Sequence, residues 1–132
     1  MSHTGDVNIE AWGGTPLDCL EEAARALVET FADVNNVTAT DTVPVMFDLA
    51  PDDQEALVAV LEEIVYLIDA GEVVPVDVVL EATEDGGVAG YFETAAASTV
   101  PLGRSAPKGV SRSELELGHD QGRWRCRAVI DV

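Results

Sequence analysis

Apolar and polar residues alternate through Val7-Asn8-Ile9-Glu10-Ala11-Trp12, the period of a half-buried β-strand. Gly13-Gly14-Thr15-Pro16 then reads as a turn entering a helix, with Thr15 as the N-cap and Pro16 in the first helical position, where a missing N–H costs nothing. Leu17, Leu20, Ala24, Leu27 and Phe31 recur at three and four residues, which places one apolar stripe on a helix from Pro16 to about Phe31. Asp18, Glu21, Glu22 and Glu29 form most of its solvated side. Asn35-Asn36 breaks the period, and a second alternation follows with Val43, Val45, Phe47 and Leu49 on one side and Pro44, Met46 and Asp48 on the other. Pro44 removes a ladder donor, so this strand is expected at a sheet edge.

The strongest helical pattern opens at Pro51-Asp52-Asp53-Gln54-Glu55, where Asp52 is the expected cap and Glu55, three residues on, completes a capping-box arrangement. Ala56, Leu57, Val60, Leu61, Ile64, Val65, Leu67 and Ile68 make a broad apolar face, and Gly71 stands where a left-handed C-terminal cap belongs. Beyond it the period shortens. Val73-Val74, Val76 to Ala82 and Val88 to Thr94 read as strands, the last two joined by the turn Glu84-Asp85-Gly86-Gly87. Ala95 to Gly109, with two prolines, two glycines, Arg104 and Lys108, reads as a long mobile loop. A final hairpin runs from Val110 to Leu117, turns at Gly118 to Gly122 and returns from Arg123 to Val132. On the return strand Trp124, Cys126, Ala128 and Ile130 share the core face, while Arg123, Arg125, Arg127, Val129 and Asp131 face out. These elements predict a single α+β domain over residues 1–132, with two helices packed on a mostly antiparallel sheet.

A chain of 132 residues, 47% hydrophobic with a mean hydropathy of +0.12, can bury one core despite a formal charge of −18. The charge is uneven. Residues 1–100 hold 21 acids and the single base Arg25, net −20, whereas residues 101–132 hold four acids and six bases, net +2. Lys108 is the only lysine, and this acid-rich, lysine-poor balance resembles proteins adapted to high intracellular salt. The negative field argues against nonspecific nucleic-acid binding, which depends on neutralising phosphates with Lys and Arg. No apolar run approaches a membrane span and the first residues lack a signal-peptide pattern, so a soluble cytoplasmic protein is expected. Cys19 and Cys126 lie far apart with no metal-ligand spacing and are expected as interior or half-buried thiols rather than a disulfide or metal ligands.

Candidate chemistry concentrates at the two ends of the sequence. Asp6 opens the first strand-like run and Asp131 closes the last. If those runs are neighbours in one sheet, two carboxylates and a terminal oxygen of Val132 converge, the oxygen-rich environment that calcium or magnesium prefers. The competing reading is a pair of solvated strand ends. The three arginines of the last strand either receive an acidic partner or pair with the protein's own acids, and the second is favoured. His119, beside Asp120 in a turn, is read as exposed and idle. No nucleophile elbow, phosphate-cradling loop or zinc spacing is present, so an independent enzyme would have to use Asp6, Asp131 and a metal-activated water as a hydrolase.

Four ordered features resemble one family. They are His3-Thr4-Gly5-Asp6-Val7 before a strand and a Thr-headed helix; the helix from Glu55-Ala56-Leu57 to Tyr66-Leu67-Ile68-Asp69; Lys108 ahead of Leu115-Glu116-Leu117; and the ending Trp124 to Ala128-Val129-Ile130-Asp131-Val132. Together they look like archease over nearly the whole chain. The resemblance implies a small α+β accessory protein, not itself an enzyme, that activates RtcB-type RNA ligases in tRNA splicing by promoting guanylylation and turnover. RNA would then be met only through the ligase. It further implies a divalent metal, calcium by family precedent, between Asp6 and Asp131 with an oxygen from Val132, a supporting role for His3, and Lys108 as the contact to ligase or nucleotide phosphate. One departure is marked: family members usually continue as Lys-Ala-x-Thr-Tyr-His, whereas Lys108 is followed by Gly109-Val110-Ser111-Arg112-Ser113. A metal-dependent hydrolase and a chaperone-like binding module are the alternative functions.

Overall fold

Thr15 starts the first helix through its side chain: its Oγ1 accepts from the Asp18 N–H at 3.1 Å, satisfying one of the donors a helix leaves free at its N-terminus. The computed structural model describes residues 6–103 and 106–132. Strand β1 (Val7–Gly13) leads into helix α1 (Pro16–Phe31); strand β2 (Asp41–Phe47) follows, then helix α2 (Gln54–Ala70). The cap of α2 is Asp53, whose Oδ1 accepts from the Glu55 N–H at 2.8 Å, rather than Asp52. Two adjacent aspartates satisfy the same sequence signal, and the one with extended backbone immediately before the first helical turn takes the role. Gly71 ends α2 at φ +80°, the left-handed conformation expected of it.

The remaining strands are β3 (Val73–Ala82), β4 (Val88–Ala96), β5 (Gly109–Asp120) and β6 (Arg123–Asp131). The α+β class, the two helices and the antiparallel pairing are as the sequence indicates, but the six strands divide into two three-stranded sheets, ordered β1-β6-β5 and β2-β4-β3. Strand β2 lies at an edge, where Pro44 costs no ladder bond. Val73-Val74 and Val76 to Ala82 form one strand, interrupted by a bulge between Pro75 and Asp77 rather than by a turn. In the last hairpin, β5 continues through Gly118, His119 and Asp120. The turn is only Gln121-Gly122, both at positive φ (53° and 82°), the backbone of a two-residue hairpin turn matched to strand twist.

Within the expected loop, the described residues 97–103 are tied down. A short three-ten turn spans Ala97–Thr99; Leu102 then bridges to Ala32, Asp33 donates to the Pro101 carbonyl at 2.9 Å and Gly103 donates to that of Phe31 at 3.0 Å. Proline and glycine suggest irregular backbone, yet its polar groups find partners at the end of α1.

Inner-face side chains of both sheets, among them Ile9, Ala128 and Ile130 from the first and Val45, Val88 and Phe92 from the second, join one core with the helices. Each helix shows solvent only a narrow strip, Asp18, Glu22 and Glu29 in α1 and Glu55, Glu62, Tyr66 and Asp69, with the end residues Gln54 and Ala70, in α2. Among the described residues no helix is long and apolar enough to cross a membrane.

Cys19 and Cys126 meet in this core as free thiols with their Sγ atoms 3.2 Å apart. The shared hydrogen bond draws the Cys19 thiol below its ordinary value, while the same bond and burial push Cys126 up. Both are buried, so a thiol reagent such as DTNB is expected to leave native protein unmodified and to titrate two thiols per chain after unfolding. Rapid reaction of folded protein would contradict this packing.

Candidate functional site

The antiparallel register of β1 against β6 pairs Val7 with Ile130, Asn8 with Val129 and Ile9 with Ala128. Continued by one step, it sets Asp6 opposite Asp131. On the other side of β6, Gly109 of β5 pairs directly with Asp131, and Lys108, one residue earlier, donates its backbone N–H to the Asp131 carbonyl at 2.7 Å. The central strand of this sheet therefore carries Asp131 between Asp6 and the Lys108-Gly109 pair. Because Ile130 is fully buried, alternation turns Asp131 outward, and it is exposed.

Gly109 lies beside that carboxylate. A Cβ there would lie 3.9 Å from Asp131 Oδ2, an ordinary van der Waals contact, so the position is next to the carboxylate but does not require glycine. Among the described residues neither the Asp6 nor the Asp131 carboxylate has a hydrogen bond or ion pair with another side chain. The Val132 side chain is half-buried and packs against the core. His3 lies outside the described residues.

The donor chemistry fits a hard divalent cation, since carboxylate oxygens are the ligands calcium and magnesium take. The number of donors limits what this chain does alone. No group of three or more His, Cys, Asp or Glu side chains suited to a metal occurs among the described residues. Two carboxylates would leave most of a six- to eight-oxygen shell, as calcium takes, to water, backbone or a partner.

Further along the same outward face, the arginines pair with the protein's own acids. Arg125 holds Glu10 across the β1–β6 pair and lies 3.7 Å from Glu116; Arg127 lies 3.5 Å from Glu116 and 3.8 Å from Glu114. The carboxylate of Glu10 raises the Arg125 pKa further above its ordinary value. Arg123 stacks over Trp12 at 5.0 Å. The stripe is thus largely neutralised within the sheet. His119 is exposed, with its ring edge against Trp124.

Sequence reasoning did not place Gly109 beside Asp131; that neighbourhood follows from the β5–β6 pairing. The Lys108 backbone is bonded to that of Asp131, and the β1–β6 register extended by one residue sets Asp6 opposite Asp131.

The fold defines a class: small α+β proteins whose two helices pack against two antiparallel three-stranded sheets. The model of the Archease protein family (MTH1598/TM1083) matches residues 1–132. This chain belongs to the archease family. It is 40% identical over 133 residues to "Probable protein archease" of Mycobacterium tuberculosis, covering 100% of this chain and 73% of that protein. Its identity to "Protein archease" of Methanosarcina barkeri is 27% over 138 residues, with 100% and 93% coverage. The solution structure of Methanobacterium thermoautotrophicum protein 1598 has the same fold, with TM-score 0.76 at 22% identity over 100% of this chain and 96% of that one. So does the crystal structure of a Thermotoga maritima archease described as a "possible chaperone", with TM-score 0.70 at 18% identity, covering 100% and 94%.

Proposed function

We propose that this protein is an accessory activator of an RtcB-type RNA ligase, acting in tRNA splicing or RNA repair by promoting guanylylation and turnover of the ligase. Family membership supports the reading. The observation that carries it is the convergence of Asp6, Asp131 and Lys108 at one end of three strands. Asp6 and Asp131 would hold a divalent cation, calcium by family precedent, with His3 and an oxygen of Val132 in support. Such an ion would supply Lewis-acid charge toward oxygen ligands of the partner. The protein itself positions. The hydrogen bond from the Lys108 N–H seats this residue next to Asp131 in the sheet, and its exposed ammonium would be the group to meet a phosphate brought to the strand ends.

Lys108→Ala is expected to lower stimulation of ligase guanylylation about 10-fold, the scale of one charge-assisted hydrogen bond. Its thermal midpoint should stay unchanged, because the backbone bond survives the substitution. The test is guanylylation of the source organism's RtcB-type ligase by GTP with and without this protein; absence of any stimulation by wild type would overturn the reading. A chaperone-like role is the second reading, favoured by exposed apolar side chains such as Met46 and Leu102. It is distinguished by suppression of aggregation of unrelated proteins irrespective of Asp6.

A further inference from the structure

The outer face of the β2-β4-β3 sheet has no use within the fold. Pro44, Tyr91 and Val79 stand opposite one another across the three strands, and Met46 beside Ala89 starts the adjoining row. Their neighbours in sequence, Val45, Phe92, Val78 and Leu80, point into the core, so alternation alone turns this set outward. Met46 is 77% exposed, Val79 39% and Tyr91 38%. Among the described residues nothing covers them. A tyrosine and a methionine side by side on an open sheet are residue types enriched in protein interfaces and depleted elsewhere on surfaces.

The charge around this row selects its occupant. Strands β2, β3 and β4 with the β3–β4 turn hold Asp41, Asp77, Glu81, Glu84, Asp85 and Glu93 and not one lysine or arginine. Of these six, Asp77 alone has an ion-pair partner among the described residues, Arg25 at 3.0 Å. Glu93 stands beside Thr42 in the row next to Tyr91, and Glu81 beside Ala89 in the row of Met46. An apolar centre in an acidic rim complements a surface with an apolar centre and a basic rim. A second copy of this chain brings the same acids and a net charge of −18, so like charges oppose self-association there. Anionic lipid and nucleic acid meet the same repulsion.

We infer that this face is the docking surface for the ligase itself, seated on a patch of the enzyme rich in lysine and arginine. The inference rests on the proposed function: an enzyme that holds RNA must present basic surface, and this face is built to receive it. Docking and activation then divide between two places. The β2-β4-β3 face supplies affinity, and the ends of β1, β6 and β5 supply the effect on the ligase.

The test combines direct binding of the purified ligase, by calorimetry, with a titration of guanylylation. The double variant Met46→Glu, Tyr91→Glu is expected to bind at least about 10-fold more weakly, the scale of losing an interface anchor. It should need correspondingly more protein for half-maximal stimulation and still reach the wild-type plateau. Val79→Lys, which sets a base in the apolar row facing the partner's basic rim, should weaken binding in the same way. Tyr66→Glu, on the exposed strip of α2, serves as the surface control and should bind as wild type does. Asp131→Asn should lose the plateau. Unchanged binding by both the double variant and Val79→Lys, with thermal midpoints near wild type, would overturn the inference. So would a wild-type dimer in sedimentation that the double variant dissolves while ligase binding stays constant. Wild type that binds the ligase through this face without stimulating it would defeat the activator reading alone; wild type that does not bind would defeat both.

Discussion

Asp131→Asn is expected to weaken calcium binding by at least on the order of 100-fold, because even groups that only orient a metal ligand are worth 10- to 100-fold. The isosteric amide keeps the strand and its backbone bond to Lys108, so stability should not follow affinity down. Only the charge at the centre of the site is lost. With Asp6 as the one other acidic side chain the register places there, a single carboxylate would remain, too few charged oxygens to hold a hard cation against water. Isothermal calorimetry of both proteins against calcium and magnesium measures the difference. Equal affinities, or no binding by wild type, would remove the metal from the account while leaving the strand-end geometry intact.

Phe92→Ala should destabilise the fold by about 3–5 kcal/mol, the range for emptying an aromatic site in a close-packed core. Phe92 is fully buried at the middle of β4, between Val43 of β2 and Val78 of β3. For a chain of this size such a loss lowers the thermal midpoint by roughly 10–20 °C. Tyr91→Ala, one residue away on the outer face, should cost about 1 kcal/mol or less. The contrast separates core from docking surface within a single strand, and calorimetric melting of the two variants reads it. Similar losses at both positions would mean that the outer face contributes to the fold as much as the inner one.

How far these features could be read in advance depended on whether their signal was local. Both helices were legible because caps and apolar stripes lie within one turn of what they specify, as Thr15, Gly71 and the Leu20-Ala24-Leu27 spacing show. Where two residues satisfied one rule, the choice slipped by one, as with Asp52 and Asp53. Segments defined by distant partners were harder. Ala95 to Gly109 looked like free loop because nothing in it announces the bonds that Phe31 and Asp33 make to it. Likewise the hairpin turn looked longer than Gln121-Gly122 because Gly118 mimics a turn glycine while sitting in a strand. Division into two sheets is a property of pairings, which alternation does not encode.

The candidate site shows the same limit. Asp6 and Asp131 stood out by position and by family resemblance, but what sets them opposite each other is the register between strands about 120 residues apart in sequence, extended one residue past the Val7–Ile130 end of the antiparallel ladder. The place of Gly109 beside Asp131 came only with the β5–β6 pairing. Burial of Cys19 and Cys126 was expected; their contact was not, since α1 meets β6 only in three dimensions.

The proposed activation requires the ends of β1, β6 and β5 to act on the ligase as one unit. A double-mutant cycle in multiple-turnover RNA ligation tests it most directly, with wild type, Asp6→Asn, Lys108→Ala and the combined variant each added at saturating concentration. Residues that work together lose their effect together, so the combined variant is expected to stimulate no less than the weaker single variant does. Losses that multiply independently, or ligation indifferent to both residues, would contradict the claim.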